Sequence, residues 1–266
     1  MAFYRLLQGF RALFLLVFLA SAAEAHDPIF GIGPHVLYKA GTEFHLSISR
    51  EKLANHGAEA ELEVSYGITS DWSAGAGVSY PEAASFHSSI FTKYRFWRQD
   101  TFGTQESAAI MAKVISGSRE KTSPSEGSEE SDYILGLAYG YEGRKWYRWA
   151  SIRHRINAKA VDGNDRPDVW LVDFAGGIRF VPSEYHEPDW VWMLELNGEL
   201  VEKASQNAVN MLQHQSANQW FLSPGLMWTY RNLAIKSGAQ LLVYNNVKTD
   251  SGAVEYRAHL ALEFHF

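Results

Sequence analysis

Cysteine is absent from the chain. Its absence excludes a disulfide framework, a thiolate nucleophile and a thiolate metal site. Long apolar runs are scarce as well. The only candidate, Ala12–Ala20, falls well short of the roughly 20 residues a helical span needs, which excludes a helical inner-membrane protein. No Gly-x-Ser-x-Gly or His-Glu-x-x-His motif occurs, so neither an esterase-type nucleophile elbow nor a zinc-hydrolase helix is encoded. No fixed repeat of propeller or solenoid length is visible. Positive charge is in deficit: 24 Lys+Arg face 30 Asp+Glu, a formal net charge of −6. That balance argues against nucleic acid as a partner.

The first 25 residues have the three parts of a secretory signal: Arg5 and Arg11, the apolar run, then the small-x-small site Ala23-Glu24-Ala25. Cleavage there makes the mature chain slightly more acidic. Residues 26–41, beginning His26-Asp27-Pro28 and continuing through Gly31, Gly33 and Pro34, carry too much Pro and Gly for a helix or an unbroken strand. They read as a periplasmic strap or plug segment. Residues 42–266 read as one β-domain.

The last stretch shows its pattern most clearly. Tyr256, Ala258, Leu260, Leu262, Phe264 and Phe266 fall on one strand face, and Glu255, Arg257, His259, Glu263 and His265 on the other. About eleven earlier segments alternate in the same way. Examples are Leu62, Val64 and Tyr66 against Glu59, Glu61 and Glu63, and Trp192, Leu194 and Leu196 against Met193, Glu195 and Asn197. Connections after odd-numbered segments are generally longer and polar, such as the loop with Asn55-His56-Gly57 and residues 117–130. Most of those after even-numbered segments are short, such as Ser70-Asp71, Glu142-Gly143 and Arg231-Asn232. Strands of about 9–11 residues, aromatics near their ends and an alternation of long and short loops predict an all-β fold. The form expected is a transmembrane antiparallel up-and-down β-barrel of about 12 strands in a bacterial outer membrane. Its partners would be outer-membrane lipid, the outer-membrane insertion machinery and a small-molecule or ion solute.

Inward charges separate by strand. Glu43, Glu59, Glu61, Glu63, Asp189, Glu195 and Glu199 would form an acidic wall, and Lys93, Arg95, Lys113, Arg153, Arg155 and Arg179 a basic one. Opposed across an aqueous pore, such walls would orient polar solutes. Interlocked, they would form a salt-bridged plug. Charge this dense has to be paired or hydrated in either arrangement. Glu255, Arg257, His259, Glu263 and His265 would line the same lumen, and the two histidines would make passage sensitive to pH near neutrality.

Two other chemistries can be written on the sequence. A mature amine at His26, assisted by His35 or Asp27, could chelate Cu(II). No other cofactor is expected. His259 and His265 lie about 20 Å apart by strand rise and cannot share one ion. A lipid-modifying barrel would need a Ser–His pair near the bilayer surface. Ser116 and His154 are the candidates, on strands separated by a third.

Several motifs carry a resemblance. They are His26-Asp27-Pro28 with Phe30-Gly31 and Gly33-Pro34-His35, Tyr94–Arg98, Leu194–Glu199, Leu222-Ser223-Pro224-Gly225, Trp228–Asn232 and Ala261–Phe266. Together they resemble a group of proteobacterial outer-membrane barrels regarded as transporters, related to the outer-membrane proteins of the meta-pathway of phenol degradation. The resemblance spans nearly the whole mature chain. It implies passive or facilitated passage of a small solute, with aromatic compounds or metal ions as the classes to consider, and no enzymatic activity. It supplies no established binding or catalytic residues.

Overall fold

The computed structural model describes residues 27–53, 56–81, 86–117, 131–158, 167–181, 187–202, 218–246 and 255–266. The expected signal segment and His26 lie outside these residues, as does nearly all of the polar loop at 117–130.

Twelve strands form: β1 Thr42–Leu53, β2 His56–Thr69, β3 Trp72–Pro81, β4 His87–Thr101, β5 Thr104–Gly117, β6 Ser131–Gly143, β7 Trp146–Ile156, β8 Val169–Arg179, β9 Asp189–Val201, β10 Asn218–Tyr230, β11 Leu233–Asn245 and β12 Tyr256–His265. Each pairs antiparallel with its sequence neighbours, and β1 pairs with β12, so the sheet closes. Closure leaves no unpaired strand edge, which a strand-built membrane protein requires. At the seam Phe44 faces Phe264, Leu46 faces Leu262 and Ile48 faces Leu260, giving an outward apolar ladder.

Four of the turns at the end that carries both barrel termini span two residues: Ser70-Asp71, Phe102-Gly103, Arg144-Lys145 and Arg231-Asn232. Gly103 (φ 76°) and Arg231 (φ 54°) adopt the left-handed conformation that tight hairpins use. Three strand boundaries differ from the sequence expectation. β1 continues to Leu53, and β2 begins at His56 inside the expected Asn55-His56-Gly57 loop, because Leu53 pairs opposite His56. β6 runs through the expected Glu142-Gly143 turn, since Glu142 pairs with Gln105 and Tyr147 on its two sides. Main-chain pairing is indifferent to side-chain polarity, so polar residues extend strands beyond the apolar band.

The outside of the barrel is apolar. Leu46, Leu62, Ile110, Leu137, Leu194 and Leu260 are all exposed there. Tyr80, Tyr133, Trp170, Tyr244 and Tyr256 ring one rim, and Trp72, Tyr94, Trp146 and Trp190 the other. An apolar band between two aromatic girdles is the exterior that lipid and headgroups demand. The chain is an outer-membrane β-barrel, with its buried polar residues facing the lumen.

Candidate functional site

The strap, residues 27–41, runs inside the lumen. Its Pro and Gly content prevents ordinary strand pairing, so its main chain needs other partners. Glu195, 1% exposed on the inner face of β9, supplies them. Ile29 N–H donates to Oε1 at 2.7 Å, Phe30 N–H to Oε2 at 3.2 Å and Gly31 N–H to Oε2 at 3.1 Å. Hydrogen bonds to a charged group contribute about 1.5–3 kcal/mol each. Glu195 is itself held in a network: Asn197 Nδ2 donates to it and to Asp173, and Ser223 Oγ donates to Asn197 Oδ1 at 2.6 Å.

Small residues open the seat. A Cβ on Gly225 would lie 2.3 Å from Ile29 Cδ1, and one on Gly238 would lie 2.8 Å from Phe30 Cε2. Ile29 packs into a buried cluster with Tyr147, Trp149, Val191, Met193 and Met227, against which Phe30 also rests. Further along, Ile32 fits over Gly136 and Pro34 over Gly140. The base is tied differently. Ala40 N–H donates to Gly67 O and Gly67 N–H to Gly41 O, while Tyr38 Oη donates to the carbonyl of Phe266. A Cβ on Gly67 would stand 1.9 Å from Tyr38 O, so the strap base crosses the sheet at a position only glycine can hold.

The expected walls resolve into local pairs. Lys113 reaches across to Glu61 at 3.1 Å and Glu63 at 2.7 Å. Arg257 contacts Glu199, and it meets Glu51 at 3.2 Å. Arg179 contacts Asp189 on the neighbouring strand. Lys93 holds Asp27 of the strap at 2.6 Å, and Arg95 holds Asp71 at 2.8 Å. Arg153 pairs with Asp173 at 2.7 Å and Arg155 with Asp132 at 2.6 Å. Each basic-wall residue therefore has a carboxylate partner. Four of those partners, Asp27, Asp71, Asp132 and Asp173, were not in the acidic wall. Two opposed walls are replaced by a mosaic of pairs, because a charge in a narrow lumen is stabilised by the nearest opposite charge. Glu59 and Glu255 are exposed toward the rim opposite the strap base.

On the closing strand, Glu263 takes Lys236 at 2.6 Å and His45 at 3.3 Å, and His265 lies 3.4 Å from Glu43. His259 tilts against the Phe30 ring. Lys236, 2% exposed, is the main residue missing from the sequence reading, though its inward parity in β11 was visible.

Two aspartates outside the strands have shifted acidities. Burial pushes the Asp27 carboxyl up, but the charges of Lys93, His35 and Lys236 outweigh it and leave the group below its ordinary value. Asp71 is also lowered, chiefly by the hydrogen bonds from Arg95.

A cavity of about 520 Å³ remains beside the strap. Glu61, Glu63, Ser65, Lys93, Lys113 and His259 line it, together with the strap itself. Its lining comes from β1–β7, β11 and β12, and among the described residues none comes from β8, β9 or β10, where the strap is anchored. β3 makes the room, since its inward positions are Ser73, Gly75, Gly77 and Ser79. The strap thus covers one wall and leaves a charged, partly filled space along the other.

The expected Ser–His pair does not assemble. Ser116 Oγ shares a hydrogen bond with Ser88 Oγ at 3.2 Å. His154 instead stacks on Trp170, with ring centroids 4.2 Å apart, and lies 3.4 Å from Glu202. Ser116 is opposite Ser131 and His154 opposite Leu135, four positions along the intervening strand, so the two are not a catalytic pair. The copper expectation rests on His26, which lies outside the described residues; of its assisting groups, His35 contacts Glu142 and Asp27 is engaged by Lys93. Among the described residues the three-residue group able to share an ion is His154, Asp168 and Glu202, which does not include His35.

No protein-family model matches the chain, and neither does any curated protein. Solved structures do. The NanC porin, in a rhombohedral crystal form, is 12% identical, with a TM-score of 0.53, covering 83% of this chain and 98% of its own. The KdgM porin is 8% identical, with a TM-score of 0.47, covering 85% and 99%. OccAB1 of Acinetobacter baumannii is 7% identical, with a TM-score of 0.45, covering 79% and 58%. At these identities the likeness to NanC establishes the shared barrel fold.

Proposed function

We propose that the barrel is an outer-membrane channel for small polar or charged solutes, with its path on the β1–β5 side of the strap. One observation carries the reading: the 520 Å³ cavity is lined by Glu61, Glu63, Lys93, Lys113 and His259, while the opposite wall is sealed by the strap. An interior of paired charges keeps water and exchanges its partners with a passing ion or zwitterion at little cost. A bulky apolar solute would strand those charges. The porin NanC, which shares the fold, is in keeping with this reading. The motifs resembling meta-pathway-related barrels agree with a small solute and leave aromatic compounds and metal ions as classes to try first.

A second reading has its own support. The seated strap and the mosaic of ion pairs suit a barrel that is structural and closed. Planar-bilayer recording of the purified protein separates the two. Discrete current steps in simple salt are expected, and a folded barrel that never conducts contradicts the channel.

A further inference from the structure

We propose that residues 27–36 are a releasable plug: they leave their seat on β6 and β8–β11 as a unit, swing about the fixed base at residues 37–41, and widen the path beside them. The proposal rests on the channel reading for what release does, and on the docking geometry alone for release itself.

The two parts of the strap are held in different ways. At the base, Ala40 N–H donates to Gly67 of β2 and Gly41 accepts from the Gly67 N–H, while Tyr38 is fastened to the Phe266 carbonyl of the barrel. Ala40 has φ 67°, which sets a sharp bend where the strap turns into β1. The distal part makes no strand pairing. Its three consecutive N–H groups converge on one side chain, Glu195. Its charged contacts, Asp27 to Lys93 and His35 to Glu142, are each a single pair in a lumen with a water-accessible cavity alongside. Such contacts can be traded for water one at a time, unlike a ladder of sheet bonds.

The seat is also shaped for a guest. Gly225, Gly238, Gly136 and Gly140 form recesses on four inner wall positions, filled by Ile29, Phe30, Ile32 and Pro34. An empty seat would leave the barrel wall intact, since every strand of the closed sheet is paired without the strap. Release therefore exposes a polar carboxylate nest and a small apolar patch to lumen water without breaking the barrel.

The cysteine-free chain permits a direct test. Ile29→Cys with Gly225→Cys brings two Cβ atoms into bridging range, because a Cβ at Gly225 already lies 2.3 Å from Ile29 Cδ1. In planar bilayers the oxidised protein is expected to show only a small conductance level. After reduction it should show that level and a larger one. Identical level distributions before and after reduction would overturn the plug. A second readout needs no current. Met193→Cys, in the cluster beneath Ile29, should react steadily with a water-soluble maleimide in the folded full-length barrel. Failure to react while folded would show a permanent strap and also overturn the proposal. Reaction at Met193→Cys without current in any state would remove the channel reading and leave release standing.

Discussion

The wall formed by β8, β9 and β10 and the wall formed by β1–β5 share an outward face of lipid-contacting apolar residues but differ inward. The first presents Ala175, Val191, Met193, Phe221 and Met227 beside three buried carboxylates, Asp173, Asp189 and Glu195, of which Glu195 takes the strap N–H groups, and the strap covers it. The second presents Ser and Gly on β3 and long charged side chains on β2, β4 and β5, and it borders the cavity. In one barrel, apolar inward residues make a seat and charged inward residues make a path. The difference follows from what each surface can bury: an apolar lumen patch needs a cover, and paired charges tolerate water.

The strongest way to break this contrast is Glu195→Ala. It removes the acceptor of three strap N–H groups while leaving the β1–β5 wall untouched. Losing even one charge-assisted bond of about 1.5–3 kcal/mol shifts seating by about tenfold or more. Maleimide labelling of Met193→Cys should accelerate at least that much in the Glu195→Ala background, and an unchanged rate would show that Glu195 does not hold the strap.

A change on the other wall should leave seating alone and alter selectivity. Lys113→Gln leaves Glu61 and Glu63 facing the cavity without their cation. Reversal potentials in a salt gradient should move toward cation preference. Arg179→Gln, whose partner Asp189 lies outside the cavity lining, should shift them little. Equal shifts would erase the distinction between the walls.

The pH response sharpens the contrast further. Asp27 is held below its ordinary value, so its pairing with Lys93 is fully present above the usual carboxylate range and lost only as pH falls through the folded value. The Asp27–Lys93 contact is thus constant between about pH 5 and 8 and is lost only in more acid solution. Asp27→Asn should therefore loosen strap seating at pH 7 and have no effect once the solution is acid enough to protonate the carboxylate; an equal effect at both would contradict the pairing.

The smallest effect belongs to the rim. Asp71 is 44% exposed in its contact with Arg95, so Asp71→Asn should cost under about 1 kcal/mol in urea unfolding of the barrel. A larger loss would mean that the turn contributes to holding the barrel closed. Because Asp71 is lowered chiefly by Arg95, its contribution also vanishes as pH drops below the carboxylate range.

The barrel was legible because strand parity is local: Leu260, Leu262 and Phe264 face lipid wherever the strand is placed. The strap was legible as irregular, since Pro28, Gly31 and Pro34 forbid pairing. Its seat was not, because it joins Ile29 to Glu195, 166 residues away, and nothing in either segment's pattern names the other. The inward charges were visible by parity, but their partners depended on how strands stack across the lumen. Lys113 with Glu61 and Arg257 with Glu199 are such pairs, each joining strands three apart in the ring. Asp132 and Asp173 share that inward parity, but nothing local to either names Arg155 or Arg153 as its partner. Glu142 was hidden in an expected turn.

The most direct test of a path along the charged wall uses two single cysteines. Ser65→Cys lines the cavity, and Met193→Cys lies in the cluster under the strap. A bulky, water-soluble thiol reagent added during single-channel recording should modify Ser65→Cys promptly and lower its current, with Met193→Cys responding much more slowly. Faster modification at Met193→Cys, or modification of Ser65→Cys that leaves the current unchanged, would contradict the path and place it on the wrong side of the strap.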